Sequence, residues 1–205
     1  MKKLIVFCIV FLSAQLSANN FNTDQSHPPG TMRLEPSKTG IEHAEYIDES
    51  VITISNWLVY LHWTRMEYGT QSAEYIDALP DSVILQKSLP YPSWRHPSFS
   101  TYAMVGISYE QAMKYCIWRT HMVNELFERT GVGYTVSYSL PTETDFEEAY
   151  RQKKNITLNI GANVHELTAG KAVLHIEQTG ALNFQPYLGP DAIIGFRCVA
   201  EIINR

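Results

Sequence analysis

Ala103-Met104-Val105-Gly106-Ile107-Ser108-Tyr109-Glu110-Gln111-Ala112, continued by Tyr115-Cys116-Ile117-Trp118, is the stretch whose reading decides the fold. It holds the clearest helix start in the chain. The Ser108 hydroxyl can accept the backbone N–H of Gln111, whose side chain can reach back, which makes a capping box. Behind it Ala112, Tyr115, Cys116, Met122, Val123 and Leu126 recur at helical spacing as one apolar stripe. The helix is expected to end near Arg129, before Gly131 and Gly133. Downstream, Leu140-Pro141-Thr142-Glu143 restarts the pattern, with Thr142 as N-cap, Asp145 in the N3 place and Phe146, Ala149 and Tyr150 facing inward. Upstream, Val51 to Ile54 give way to Trp57, Leu58 and Leu61, which predicts a short strand and then a helix capped by Ser55. Prolines 80, 90, 92 and 97 predict a long irregular loop between Gly69 and Thr101, broken by the apolar patch Val83 to Leu85. From Ile156 to Asn204, β-branched runs separated by Gly and Asn predict short strands.

The first eighteen residues have a basic start (Lys2, Lys3), an apolar run from Leu4 to Leu12 and a small-residue exit at Ser17-Ala18, the layout of a secretory signal peptide. The run is too short to cross a bilayer, and no later window is longer, so no transmembrane segment is expected. Residues 19–40, rich in Asn, Ser, Pro and Gly, read as an extended lead-in, and residues 41–205 as one domain. A net charge of -5 and a pI near 5.8 give no basic footprint for phosphate backbones, which excludes nucleic acid as the expected partner. An aromatic share of 12% against 18% charged residues indicates a packed globule and not a disordered chain. Removal of the leader leaves Cys116 and Cys198 in a chain bound for an oxidising compartment, so a disulfide between them is expected, two separate buried thiols being the alternative. Closing a loop of roughly 80 residues, such a bond contributes roughly 4 to 5 kcal/mol in the chain-entropy treatment.

Four segments in this order resemble the signature of the formylglycine-generating enzyme (sulfatase-modifying factor) family. They are Ala103 to Ala112 with Tyr115 to Trp118; Tyr138-Ser139-Leu140-Pro141-Thr142-Glu143-Thr144-Asp145-Phe146-Glu147; Asn163-Val164-His165-Glu166-Leu167-Thr168; and Gly195-Phe196-Arg197-Cys198-Val199. The resemblance implies an α+β fold of compact C-type-lectin-like type, with two or three helices, short antiparallel strands and long loops. It also implies a Cys116–Cys198 bridge, the same pair that composition selects.

Active relatives oxidise a substrate cysteine with a copper ion held by two cysteines shortly before the closing Gly-Phe-Arg-Cys, soft thiolates being suited to copper(I). Ala169 to Ile194 contains no cysteine here, so no copper is expected. A second branch uses iron held by histidines. The seven histidines (27, 43, 62, 96, 121, 165, 175) show no HExxH-type pairing, and His165, which stands where relatives have tryptophan, reads as a packing or surface residue. Asn159-Ile160-Gly161-Ala162-Asn163-Val164-His165-Glu166 is similar to a structural calcium loop of relatives. That likeness implies Ca2+ held by the side chains of Asn159 and Glu166 and the carbonyls of Ala162 and Val164, against the reading of an Asn-held turn. Asn155-Ile156-Thr157 fits a glycosylation acceptor, and Glu143, Asp145, Glu147 and Glu148 read as a solvated acidic helix start.

The function these features imply is that of an exported domain, periplasmic, secreted or at the cell surface. It is expected to be non-catalytic and to act as a binding or scaffold module for a protein or glycan partner, as related secretion and motility components do. The alternatives are an enzyme of the same family with different chemistry, such as iron-dependent oxidation, and a subunit that modulates an active relative.

Overall fold

A computed structural model describes residues 27–35, 44–89, 93–152 and 164–204. The fold is mixed α+β, with two four-stranded sheets. The first is antiparallel in the order β1-β2-β8-β3, from β1 (Thr31–Arg33), β2 (Tyr46–Asp48), β3 (Thr135–Ser139) and β8 (Val199–Asn204). The second runs β6-β5-β4-β7, from β4 (His165–Leu167), β5 (Ala172–Ile176), β6 (Leu182–Pro186) and β7 (Ile194–Gly195), with only the β4–β7 pair parallel. Strand β1 lies within the stretch read as lead-in and pairs with β2.

The helices follow from their caps. Helix α1 (Ile54–Tyr68) starts at Thr53, whose hydroxyl accepts the Asn56 N–H while Asn56 accepts the Thr53 N–H. The cap was expected at Ser55. The capping box moves it two residues earlier, and the β-branched run expected as a strand contributes only one bridge, from Thr53 to Ala103. The region expected to be an irregular loop holds α2 (Ala73–Ala78) and α3 (Ser82–Lys87), capped by Ser72 and Asp81, and a 3-10 turn at Pro97–Phe99. Short Ser and Asp caps won over proline content because the prolines fall between these helices or at a first turn, where a missing N–H costs no helical bond.

Helix α4 (Tyr109–Thr130) carries the predicted Ser108–Gln111 capping box and ends at Gly131 in the left-handed conformation, φ 76°, whose N–H closes on Phe127 O. Gly106, just before the helix, has φ 68°. A Cβ there would stand 3.0 Å from both Asp81 O and Leu85 N, so only glycine lets the backbone pass this close to α3. Helix α5 (Glu143–Arg151) carries the predicted Thr142–Asp145 box.

The core centres on Trp57, fully buried, which stacks on Tyr115 at 5.6 Å, meets Tyr60 and Phe196 edge-on and donates its indole N–H to Ala78 O at 3.1 Å. A second cluster, with Leu34, Ile47, Phe146, Leu174 and Val199, lies under α5. Tyr150, expected to face inward, is instead exposed. Among the described residues no helix is long and apolar enough to cross a membrane.

The acidic start of α5 is not uniformly solvated. Asp145 and Glu148 are buried. Asp145 Oδ2 accepts from the Thr142 N–H and hydroxyl, and Oδ1 accepts the Ala44 N–H at 2.6 Å, tying α5 to the chain just before β2. Glu148 accepts from Arg151 and from Gln152 Nε2, which also donates to Glu35 O. Replacing Asp145 by Ala leaves the buried Ala44 N–H without its acceptor and removes the capping box, and should cost about 1–3 kcal/mol in urea unfolding. Glu147→Ala, at an exposed position two residues on, should stay within about 0.5 kcal/mol of wild type. Equal effects at the two positions would contradict this account of the helix start.

Candidate functional site

The segment Phe196-Arg197-Cys198 crosses from β7 to β8 and so from one sheet to the other. Arg197 is completely buried and makes a forked pair with Glu166 on β4, Nε to Oε2 at 2.6 Å and Nη2 to Oε1 at 3.0 Å. Its Nη1 donates to Asp48 O on β2 at 2.8 Å. The Asp48 carboxylate in turn accepts the Cys198 N–H at 2.8 Å and Arg119 Nη1 from α4 at 2.7 Å. Arg119 also donates to Pro29 O and lies over the Tyr138 ring at 4.2 Å. Two of the four motif segments therefore contribute to one buried network, a third reaches it through Cys116, whose sulfur lies beside that of Cys198, and the fourth, through Tyr138, packs against it.

Cys116 and Cys198 lie within this network, both buried, with their sulfur atoms 3.4 Å apart. They are free thiols in contact, not a disulfide. Burial, with Cys116 adding to it, pushes the Cys198 thiol well above its ordinary range, so it is held protonated.

Alternation along β4 turns Glu166 inward and His165 outward. The ladder pairs Glu166 with Leu174, and one step further His165 faces His175 across β4 and β5. His175 Nδ1 and His165 Nε2 are 2.8 Å apart, with ring centroids 4.5 Å apart and planes at 66°. The pair lines a cleft of about 380 Å³ together with Val173, Gln185, Asp191 and Ile193, and Leu188 projects from its rim, 96% exposed. Asp191 Oδ1 accepts the Ile193 N–H at 3.1 Å, which fixes the turn entering β7. The pKa of His165 is lowered, first by burial and then by the neighbouring His175, with the Asp191 carboxylate opposing both.

Of the residues expected to hold calcium, Asn159 and Ala162 fall outside the described residues, as does the Asn155 acceptor. Glu166 has both oxygens on Arg197 and is buried, so ligating a cation would cost it a guanidinium contact. Of the two that are described, Glu166 serves as a counter-ion to arginine and Val164 packs against the main hydrophobic core. His165, read as packing or surface, lines the cleft. Its partner escaped notice because ten residues of sequence hide a direct cross-strand pair, and only the hairpin register of Leu167 with Val173 reveals it.

Compared with known proteins, the chain matches no family model, no curated protein and no solved structure.

The lowered pKa of His165 has a stability consequence. Below the unfolded value, about 6.5, the unfolded chain takes up this proton more readily than the folded one. Stability tied to His165 is therefore fully present above that pH and is lost as pH falls toward the folded value. Urea unfolding at pH 7.5 and pH 5.5 should show a larger loss for wild type than for His165→Gln. Parallel losses in the two proteins would contradict the assignment.

Proposed function

We propose that this chain is an exported, non-catalytic member of the formylglycine-generating enzyme family that acts as a binding or scaffold module. The family reading is supported by the convergence of the motif residues. Ser108 and Thr142 cap the helices their motifs begin, and Glu166, Arg197, Cys116 and Cys198 sit within one buried network.

The observation that carries the non-catalytic reading is the position of the thiols. The sequence contains three cysteines, Cys8 in the expected leader and the two that face each other in the core. Copper-dependent oxidation of a substrate thiol needs accessible thiolates as soft ligands, and Cys116 and Cys198 are both sealed from solvent. In an oxidising compartment, exchange with an external disulfide, which is reduced to two thiols as it takes up the two electrons and two protons, would close the 3.4 Å contact to a bond of about 2.05 Å and remove the free thiols. What the surface offers for recognition is the cleft beside β4 and β5.

Incubation of the purified chain with copper and a cysteine-containing sulfatase peptide should produce no aldehyde at that cysteine, read by mass spectrometry. Conversion of that cysteine to the aldehyde would overturn the non-catalytic reading.

A further inference from the structure

We infer that His165 Nε2 and His175 Nδ1 form a two-histidine site for a late first-row divalent ion, with Zn2+ and Cu2+ the best fits, opening into the cleft next to Asp191. The inference stands on the cleft alone and holds whether or not the chain belongs to the family proposed above.

Geometry is the first ground. Two imidazole nitrogens bound to one ion at about 2.0–2.1 Å lie roughly 2.9 Å apart at a right angle and roughly 3.4 Å apart at a tetrahedral angle. The observed 2.8 Å is close to the first value; in the hydrogen-bonded pair the nitrogens face each other, so ligation needs both rings to rotate until their lone pairs converge on an ion beside the line that joins them. The backbone holds them there. The two residues are opposite one another on neighbouring antiparallel strands, and β4 is flanked by β5 on one side and β7 on the other.

The metal-free pair is a hydrogen bond in which one facing nitrogen carries a proton and the other accepts it. Ligation needs both facing nitrogens bare. The proton then resides on the outer nitrogen of the same ring, a change of tautomer that conserves the neutral charge of both imidazoles. Imidazole donors select zinc, copper and nickel over calcium or magnesium, and the usual affinity order places copper above zinc.

The surroundings favour a cation. Asp191 lines the same cleft as both histidines, and the chain as a whole carries -5. Val173 and Ile193 form an apolar wall, while the open side of the cleft leaves room for water or a partner's side chain in the remaining coordination positions. Among the described residues no three His, Cys, Asp or Glu side chains converge as a ready metal group. The site is thus open by construction, with two protein ligands and the rest supplied from solution.

The test is isothermal titration of the metal-stripped full chain with ZnCl2 and, separately, CuSO4 in chelator-free buffer. One equivalent of each should bind, copper more tightly. His165→Gln and His175→Gln should each weaken zinc binding at least about tenfold, as loss of one of two protein ligands demands. His121→Gln, at an exposed position on α4, should leave binding unchanged. To avoid dependence on variant folding, histidine carbethoxylation of the wild-type chain is mapped by mass spectrometry with and without zinc, and zinc should protect His165 and His175. No zinc uptake by wild type, or undiminished uptake and unprotected rings at both positions, would overturn the site.

Discussion

A guanidinium with no access to water sits where the two sheets meet, and the rest of the molecule is arranged to satisfy it. Arg197 reaches Glu166 on the second sheet and the Asp48 carbonyl on the first. An unpaired charge in such a place costs several kcal/mol, so neither sheet can shift without exposing or orphaning it. Asp48 extends the same constraint to α4 through Arg119 and to β8 through the Cys198 amide. A short Phe196-Arg197-Cys198 segment thereby fixes two sheets and the longest helix, which suits a domain whose strands are only two to six residues long.

The cleft is a by-product of this arrangement. With Glu166 committed inward, strand alternation leaves His165 no choice but the opposite face, and the tight turn from Thr168 to Lys171 sets the register that brings His175 to it. The buried pair and the surface pair are therefore two faces of one strand. This links the interior electrostatics to the histidine pair that lines the cleft. The thiols, in contrast, belong wholly to the interior.

Local signals in the sequence were legible where a side chain answers its own backbone. The Ser108–Gln111 and Thr142–Asp145 boxes, and Gly131 as the end of α4, could be read from four or five residues each. Thr53 was missed because Ser55 is an equally good cap by type, and only the reciprocal bond from Asn56 decides between them. Helices α2 and α3 were missed because each is six residues long, too short for periodicity to speak. The burial of Asp145 and Glu148, the Arg197–Glu166 fork and the His165–His175 contact all depend on partners far away in sequence or across a hairpin, and such pairings leave no local trace. The α+β class needed none of them, whereas the site needed the fork and the histidine contact.

The central claim, that the buried fork holds the sheets together, is tested most directly by a double-mutant cycle on Glu166 and Arg197, measured by urea unfolding. Glu166→Leu and Arg197→Met should each cost about 3–5 kcal/mol, because each strands a charge or its polar partners in the interior. The double variant should cost at least about 2 kcal/mol less than the sum of the two. Strictly additive losses would contradict the account, since they would mean that the two side chains stabilise the fold independently.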